Sequence, residues 1–330
     1  MRSSNSKKIM KIADVLPLYP DMLWTLAKQV GVTHAVSRLP LHENGETSFE
    51  YADLLALKQR FENFGFKLEV IEPGINSQMH KMKLGIEGRD QDIADCIKMI
   101  RNMGALNIPI FCYNFMAQFN WVRTAIDTPT RGGAIVTSYN HSLMKDAPLT
   151  EAGIVTEDRL WDNLKYFLER VIPVAEESNV KLALHPDDPP ISPIKGIARI
   201  ITSAAALKKA IELVPSKNSG VTFCQGTLAA AGEKIPLEIE DLGRQNKIFF
   251  VHFRDVRGTA ENFSETFHDD GQTDMFEAMK TYKKIGFDGP VRIDHVPTME
   301  GEKNSDPGYG QDGRLFAWGY LKGLMEGAGY

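Results

Sequence analysis

The chain has 330 residues and a formal net charge of -5, with 43% hydrophobic and 25% charged residues. That balance describes a globular protein and excludes a disordered one, and without a basic surplus it gives no electrostatic footprint for nucleic acid. No run of about 18 apolar residues is present, which excludes a membrane helix, and residues 1–10 are polar and basic without the apolar stretch of a secretory signal.

In chain order, short β-rich runs fall at 11–16, 33–39, 67–73, 108–115, 180–185, 220–224, 248–254 and 290–295. Most are continuous apolar runs, as expected of strands covered on both faces. Between them, apolar residues recur at spacings of three and four over 49–64, 90–103, 160–176 and 275–285, which predicts amphipathic helices. Gly65, Gly104 and Gly286 follow three of these helices, where a left-handed cap is wanted. Eight such units without a linker, repeat or composition break predict an α/β fold, a single (β/α)8 TIM barrel over 1–330.

One connection departs from this rhythm. Residues 116–156, after the fourth strand, form a stretch far longer than the usual few residues. Because it leaves the C-terminal end of a strand, where barrel active sites lie, it is read as a lid insertion carrying Trp121 and Arg123 to the substrate.

Four consecutive strands finish on a residue able to bind a metal, namely His185, Cys224, His252 and Asp294 with His295 beside it. Taken singly, each histidine reads more readily as structural, and a lone buried cysteine as a small hydrophobe, which is the reading given to Cys96 and Cys112. Four independent core residues, however, have no reason to occupy corresponding strand ends. Two imidazoles, a thiolate and a carboxylate suit Zn, Fe(II), Mn or Co, and the thiolate argues against Mg and Ca. Adjacent strand residues point to opposite faces, so Asp294 is assigned to the ion and His295 to the strand's end. In His185-Pro186-Asp187-Asp188, the Asp188 carboxylate could orient His185 or bind substrate hydroxyls, or else belong to a solvated turn. Arg254 reads as a carboxylate clamp or as a structural salt bridge. Three cysteines, an odd number, argue against a disulfide framework and fit a reducing, cytosolic compartment.

The motifs Leu-Ala-Leu-His-Pro-Asp-Asp-Pro-Pro (182–190), Gly-Val-Thr-Phe-Cys-Gln-Gly (220–226), Val-His-Phe-Arg-Asp (251–255), Gly-Phe-Asp-Gly-Pro (286–290), Asp-His (294–295) and Pro-Gly-Tyr-Gly (307–310) run in a fixed order. With Cys-Tyr-Asn-Phe-Met (112–116), Trp121 and Arg123, the set resembles the mannonate dehydratases of the xylose isomerase-like barrel superfamily. The resemblance is dense over 180–330 and moderate over 67–124. It implies a cytosolic enzyme of hexuronate (glucuronate) catabolism, a hydro-lyase that converts D-mannonate to 2-keto-3-deoxy-D-gluconate with Mn(II) or Fe(II). It also implies that His185, Cys224, His252 and Asp294 ligate the metal while His295 and Tyr309 transfer protons, in an order left open. Without the resemblance, Tyr309 reads as a surface loop tyrosine flanked by glycines.

The chain departs from the family at 11–16, which lacks an Arg-Trp pair, at 73–83, which lacks a His-Glu-Asp run, and at Val296-Pro297, where a glycine is usual. These positions belong to the mouth and bear on the choice of substrate. Rival readings are a sugar or sugar-acid isomerase or epimerase on the same barrel, and a non-catalytic sugar-acid binder. The partner expected in each case is a small sugar acid, with no nucleic acid and no membrane, and a homo-oligomer is compatible with all of them.

Overall fold

The computed structural model of the protein describes residues 9–73 and 79–330. Most of the 1–10 start and the centre of the 73–83 departure therefore lie outside the described residues.

The strands are β1 (Lys11–Val15), β2 (His34–Ser37), β3 (Lys67–Ile71), β4 (Ile110–Asn114), β5 (Ala125–Pro129), β6 (Ile135–Asn140), β7 (Lys181–His185), β8 (Ser219–Cys224), β9 (Ile248–His252), β10 (Val256–Thr259), β11 (Asn262–Glu265) and β12 (Pro290–Arg292). The eight runs expected from sequence correspond to β1–β4, β7–β9 and β12. These close in parallel into one barrel, in the order β1-β2-β3-β4-β7-β8-β9-β12. Ala13, Val36, Val70, Ile110, Cys112, Ala183, Phe249 and Phe250 form one buried cluster, and a larger one packs the helices onto the barrel.

The helices are α1 (Met22–Gln29), α2 (Tyr51–Phe64), α3 (His80–Leu84), α4 (Arg89–Ala105), α5 (Glu157–Glu177), α6 (Ala204–Glu212), α7 (Gln225–Ala230), α8 (Ile235–Arg244), α9 (Met275–Lys284) and α10 (Gln311–Gly327). Side-chain caps start several of them, as where Thr156 accepts from Arg159 N at α5 and Asp274 from Glu277 N at α9. Gly65 ends α2 at φ 95°, as expected. Gly104 does not cap its helix. α4 runs through it to Ala105, and a Cβ there would stand 2.5 Å from the Ser178 carbonyl oxygen, so the glycine serves close packing. The left-handed turn falls instead at Asn107, φ 55°.

The 116–156 stretch is not a bare loop. Its β5–β6 hairpin joins β11 and β10 in a four-stranded sheet of order β10-β11-β6-β5, antiparallel throughout. The sequence concealed this because β11 lies more than a hundred residues further along the chain.

Candidate metal and acid–base site

Three of the expected ligands end neighbouring strands, and Asp294 follows two residues beyond β12. Cys224 pairs with His252 across β8 and β9, Asn114 with His185 across β4 and β7, and Arg292 with His252 across β12 and β9. Donor atoms of His185, Cys224 and His252 lie within 4.8 Å of one another. His185 Nε2 is 3.1 Å from His252 Nδ1, and Asp294 Oδ2 is 3.7 Å from that Nδ1 and 3.8 Å from Cys224 Sγ. Atoms that each stand about 2.0–2.3 Å from a common ion are separated by such distances, which gives His185, Cys224 and His252 the spacing of a candidate metal site, with Asp294 against its Cys224 and His252 side. The Pro186 carbonyl accepts from His185 Nδ1 at 2.6 Å, which fixes the proton on Nδ1 and leaves the Nε2 lone pair facing the centre. Burial lowers the His185 pKa and keeps the imidazole in its neutral, ligating form.

Asp294 and His295 do not alternate as a regular strand would require. β12 ends at Arg292, and Asp294 takes φ 61°, so the chain turns and both side chains line the same cavity. Asp294 Oδ2 accepts from Arg254 Nε at 2.6 Å, and Oδ1 lies 2.9 Å from Arg292 Nη2. Burial favours the neutral acid, but Arg292 foremost overrides it and holds the Asp294 carboxyl well below the usual range.

His295 Nδ1 is 2.9 Å from Glu265 Oε1. Its ring stands 4.8 Å from that of Trp121 and 5.3 Å, edge-on, from that of Tyr309. Trp121 and Tyr309 both line the cavity, so Tyr309 is not the surface residue that its loop suggests. Burial pushes the Tyr309 hydroxyl up, against Arg292, and it stays protonated at neutral pH.

Asp188 is 2% exposed, which rules out the solvated turn. It lines the cavity and accepts from Arg123 at 2.7 and 2.8 Å and from Arg254 at 2.8 Å. Arg123 also reaches Glu265 at 2.5 Å, and Arg254 reaches it at 3.0 Å. Both guanidiniums are thus taken up by Asp188 and Glu265. The structure gives Arg254 the ion-pair alternative of the two readings, and it sets Arg123 beside Trp121 with its charge turned to Asp188 and Glu265.

Three further residues of the site escaped the sequence reading. Glu72, just past β3, accepts from Arg292 at 3.0 Å and has Oε2 3.6 Å from His252 Nε2. Its carboxyl is held down to about 2, with burial opposing and Arg292 and His252 lowering it. Arg292 and Glu265 are the other two. The available signal for Arg292 was a charged residue at the end of an apolar strand, and for Glu72 a second acid after Glu69 just past the end of β3. Glu265 gave none, because its strand was not foreseen. Cys96 and Cys112 are buried, and burial raises both thiols, which matches their reading as small hydrophobes.

The D-mannonate dehydratase (UxuA) family matches this chain over residues 22–155 and 149–329. A mannonate dehydratase of Thermotoga maritima is 37% identical over 332 residues, covering 90% of each chain. The solved mannonate dehydratase of Streptococcus suis superposes with a TM-score of 0.87 at 31% identity, over 97% of this chain and 94% of that one. A xylose isomerase domain protein from Planctomyces limnophilus shares the fold, with a TM-score of 0.62 at 14% identity over 98% and 99% of the two chains.

Proposed function

Because the chain belongs to the D-mannonate dehydratase family, a family of metal-dependent hydro-lyases, we propose that it converts D-mannonate to 2-keto-3-deoxy-D-gluconate. The observation that carries this reading is the meeting of two unlike groups at one cavity: the donor cluster of His185, Cys224 and His252 with Asp294 against it, which reaches the cavity through His185 and Asp294, and the His295–Tyr309 pair beside it.

The proton at C2 of a sugar acid is weakly acidic, and its removal needs both a base and a place for the charge to go. A divalent ion held by the four ligands, Mn(II) or Fe(II) in this proposal, would supply Lewis acidity at the carboxylate. His295 is the base. The Glu265 carboxylate fixes the proton on Nδ1, which leaves Nε2 free to take the C2 proton. Tyr309, kept protonated by burial, is the acid and gives its proton to the C3 hydroxyl. The C2–H electron pair forms the C2–C3 double bond, the C3–O bond breaks, water leaves, and the enol becomes the 2-keto acid. Trp121 covers His295 and shields it from solvent, while Arg123 and Arg254 hold Asp188 and Glu265 in place. Three free, buried cysteines accord with the cytosolic location proposed with this reading.

Incubation of the Mn(II)- or Fe(II)-loaded protein with a panel of aldonic acids tests it. A 2-keto-3-deoxy acid formed from D-mannonate is the expected result. An isomeric sugar acid with no loss of water would point to an epimerase or isomerase instead.

A further inference from the structure

Among the described residues, the buried cation that lines the cavity without an ion pair is Lys83. Lys83, in α3, is 6% exposed and lines the cavity. Its backbone is fixed from two sides: Asn163 of α5 donates to the Lys83 carbonyl at 2.9 Å, and the preceding Met82 N–H donates to Asp92 at 3.0 Å. Nζ donates to two neutral acceptors, Asn114 Oδ1 at 3.0 Å and the Met116 carbonyl at 3.3 Å. An ammonium carries three N–H groups, so one is left over, and among the described residues no carboxylate comes within 4.0 Å of Nζ. The guanidiniums of Arg123, Arg254 and Arg292 nearby are each bonded to acids, and Arg38, which also lines the cavity, is exposed to solvent where Lys83 is buried.

A buried charge without a counterion is costly, and a chain keeps one where a ligand completes the pair. Burial pushes the Lys83 ammonium down to about 7, with Asp187 and Asp92 acting upward and Arg199 downward. Its acceptor Asn114 is the strand neighbour of His185, so the ammonium stands at the rim beside the metal ligands. The cavity holds about 180 Å³, room for a small molecule only.

Resting on the function proposed above, we infer that Lys83 is a substrate-binding residue, the cation that receives the carboxylate of the sugar acid and the charge that grows on it. When the C2 proton leaves, its electron pair spreads into the carboxylate, which then carries more negative charge than in the bound substrate. A fixed ammonium there attracts the transition state more strongly than the ground state, so Lys83 serves both binding and turnover.

Calorimetric titration of the Mn(II)-loaded protein with D-gluconate, 2-keto-3-deoxy-D-gluconate and the alditol D-mannitol, which has no carboxylate, tests this. Lys83→Met is expected to weaken binding of the two acids by roughly 10- to 10²-fold, the scale of a charge-assisted hydrogen bond, and to change D-mannitol binding less than about twofold. Lys83→Gln, which keeps donors for Asn114 and Met116, should show the same contrast and replaces the methionine variant if that one fails to fold. Equal losses for acids and alditol, or no loss at all, would overturn the inference. A parent protein that binds the acids but eliminates water from no aldonate defeats the dehydratase reading, and the Lys83 comparison still stands on its own. A parent that binds none of the acids defeats both.

Discussion

Glu265 and His295 stand 2.9 Å apart although they come from different sheets, one from β11 of the added sheet and the other from the end of the barrel. The β5–β6 hairpin pairs with β11 and so sets the depth at which Glu265 meets the imidazole. The insertion thus supports the strand that carries the partner of the proposed base. Glu265→Gln should lower kcat by about 10²-fold, because Nδ1 is no longer held as a donor. It should also cost about 3–5 kcal/mol of stability, since Arg123 and Arg254 lose a buried partner. Steady-state kinetics below the melting range, paired with urea unfolding, separates the two effects. Parental kcat in a destabilised variant would make Glu265 purely structural.

Glu72 should matter to the metal without touching it. Its Oε2 is buried without a hydrogen-bond partner, 3.6 Å from the ring nitrogen of His252 that faces away from His185. Arg292 Nε donates to that same ring nitrogen at 3.0 Å and Arg292 Nη2 to Glu72 at 3.0 Å, so the carboxylate holds the His252 ring through the guanidinium between them. Glu72→Gln is expected to weaken metal binding about 10- to 10²-fold, measured by competition with a chelator. Unchanged affinity would remove Glu72 from the metal's support.

Cys224 supplies the one sulfur donor of the proposed set. Cys224→Ser replaces it with a harder oxygen of different reach, and the variant should retain clearly less metal than the parent after dialysis, with a matching loss of turnover. Full metal content with parental activity would take the thiolate out of the coordination sphere.

Acid should destabilise the metal-free protein over two windows. His34 is lowered to about 4 by burial, so the unfolded chain takes up its proton first, and stability is lost as pH falls from about 6.5 to about 4. Glu72 is held at about 2, below its unfolded value near 4.3, so its contribution is present above that value and lost as pH falls toward about 2. Urea midpoints measured from pH 7 to pH 3 should fall across both windows, and Glu72→Gln should flatten the lower one. A midpoint that does not move over this range contradicts the assignment.

The barrel was legible because its strands are continuous apolar runs, and the meeting of His185, Cys224 and His252 was legible because they end three of them. What escaped the sequence depends on contacts between distant segments. Glu265 belongs to a strand whose partner lies in the 116–156 stretch, and Lys83 is distinguished by the counterion it lacks, which no local pattern records. The turn at Asp294 was missed for another reason: a positive φ at a residue other than glycine is unusual, and here it brings two neighbouring side chains into one cavity.

In the proposed site, His295 takes the substrate proton without holding the metal. The turnover number of metal-loaded His295→Asn on D-mannonate, with metal content measured on the same sample, decides it. The expected result is parental metal content with a loss of roughly 10²-fold or more in kcat, the scale of a general base. Parental turnover, or loss of the metal together with the activity, would contradict the roles assigned to this site.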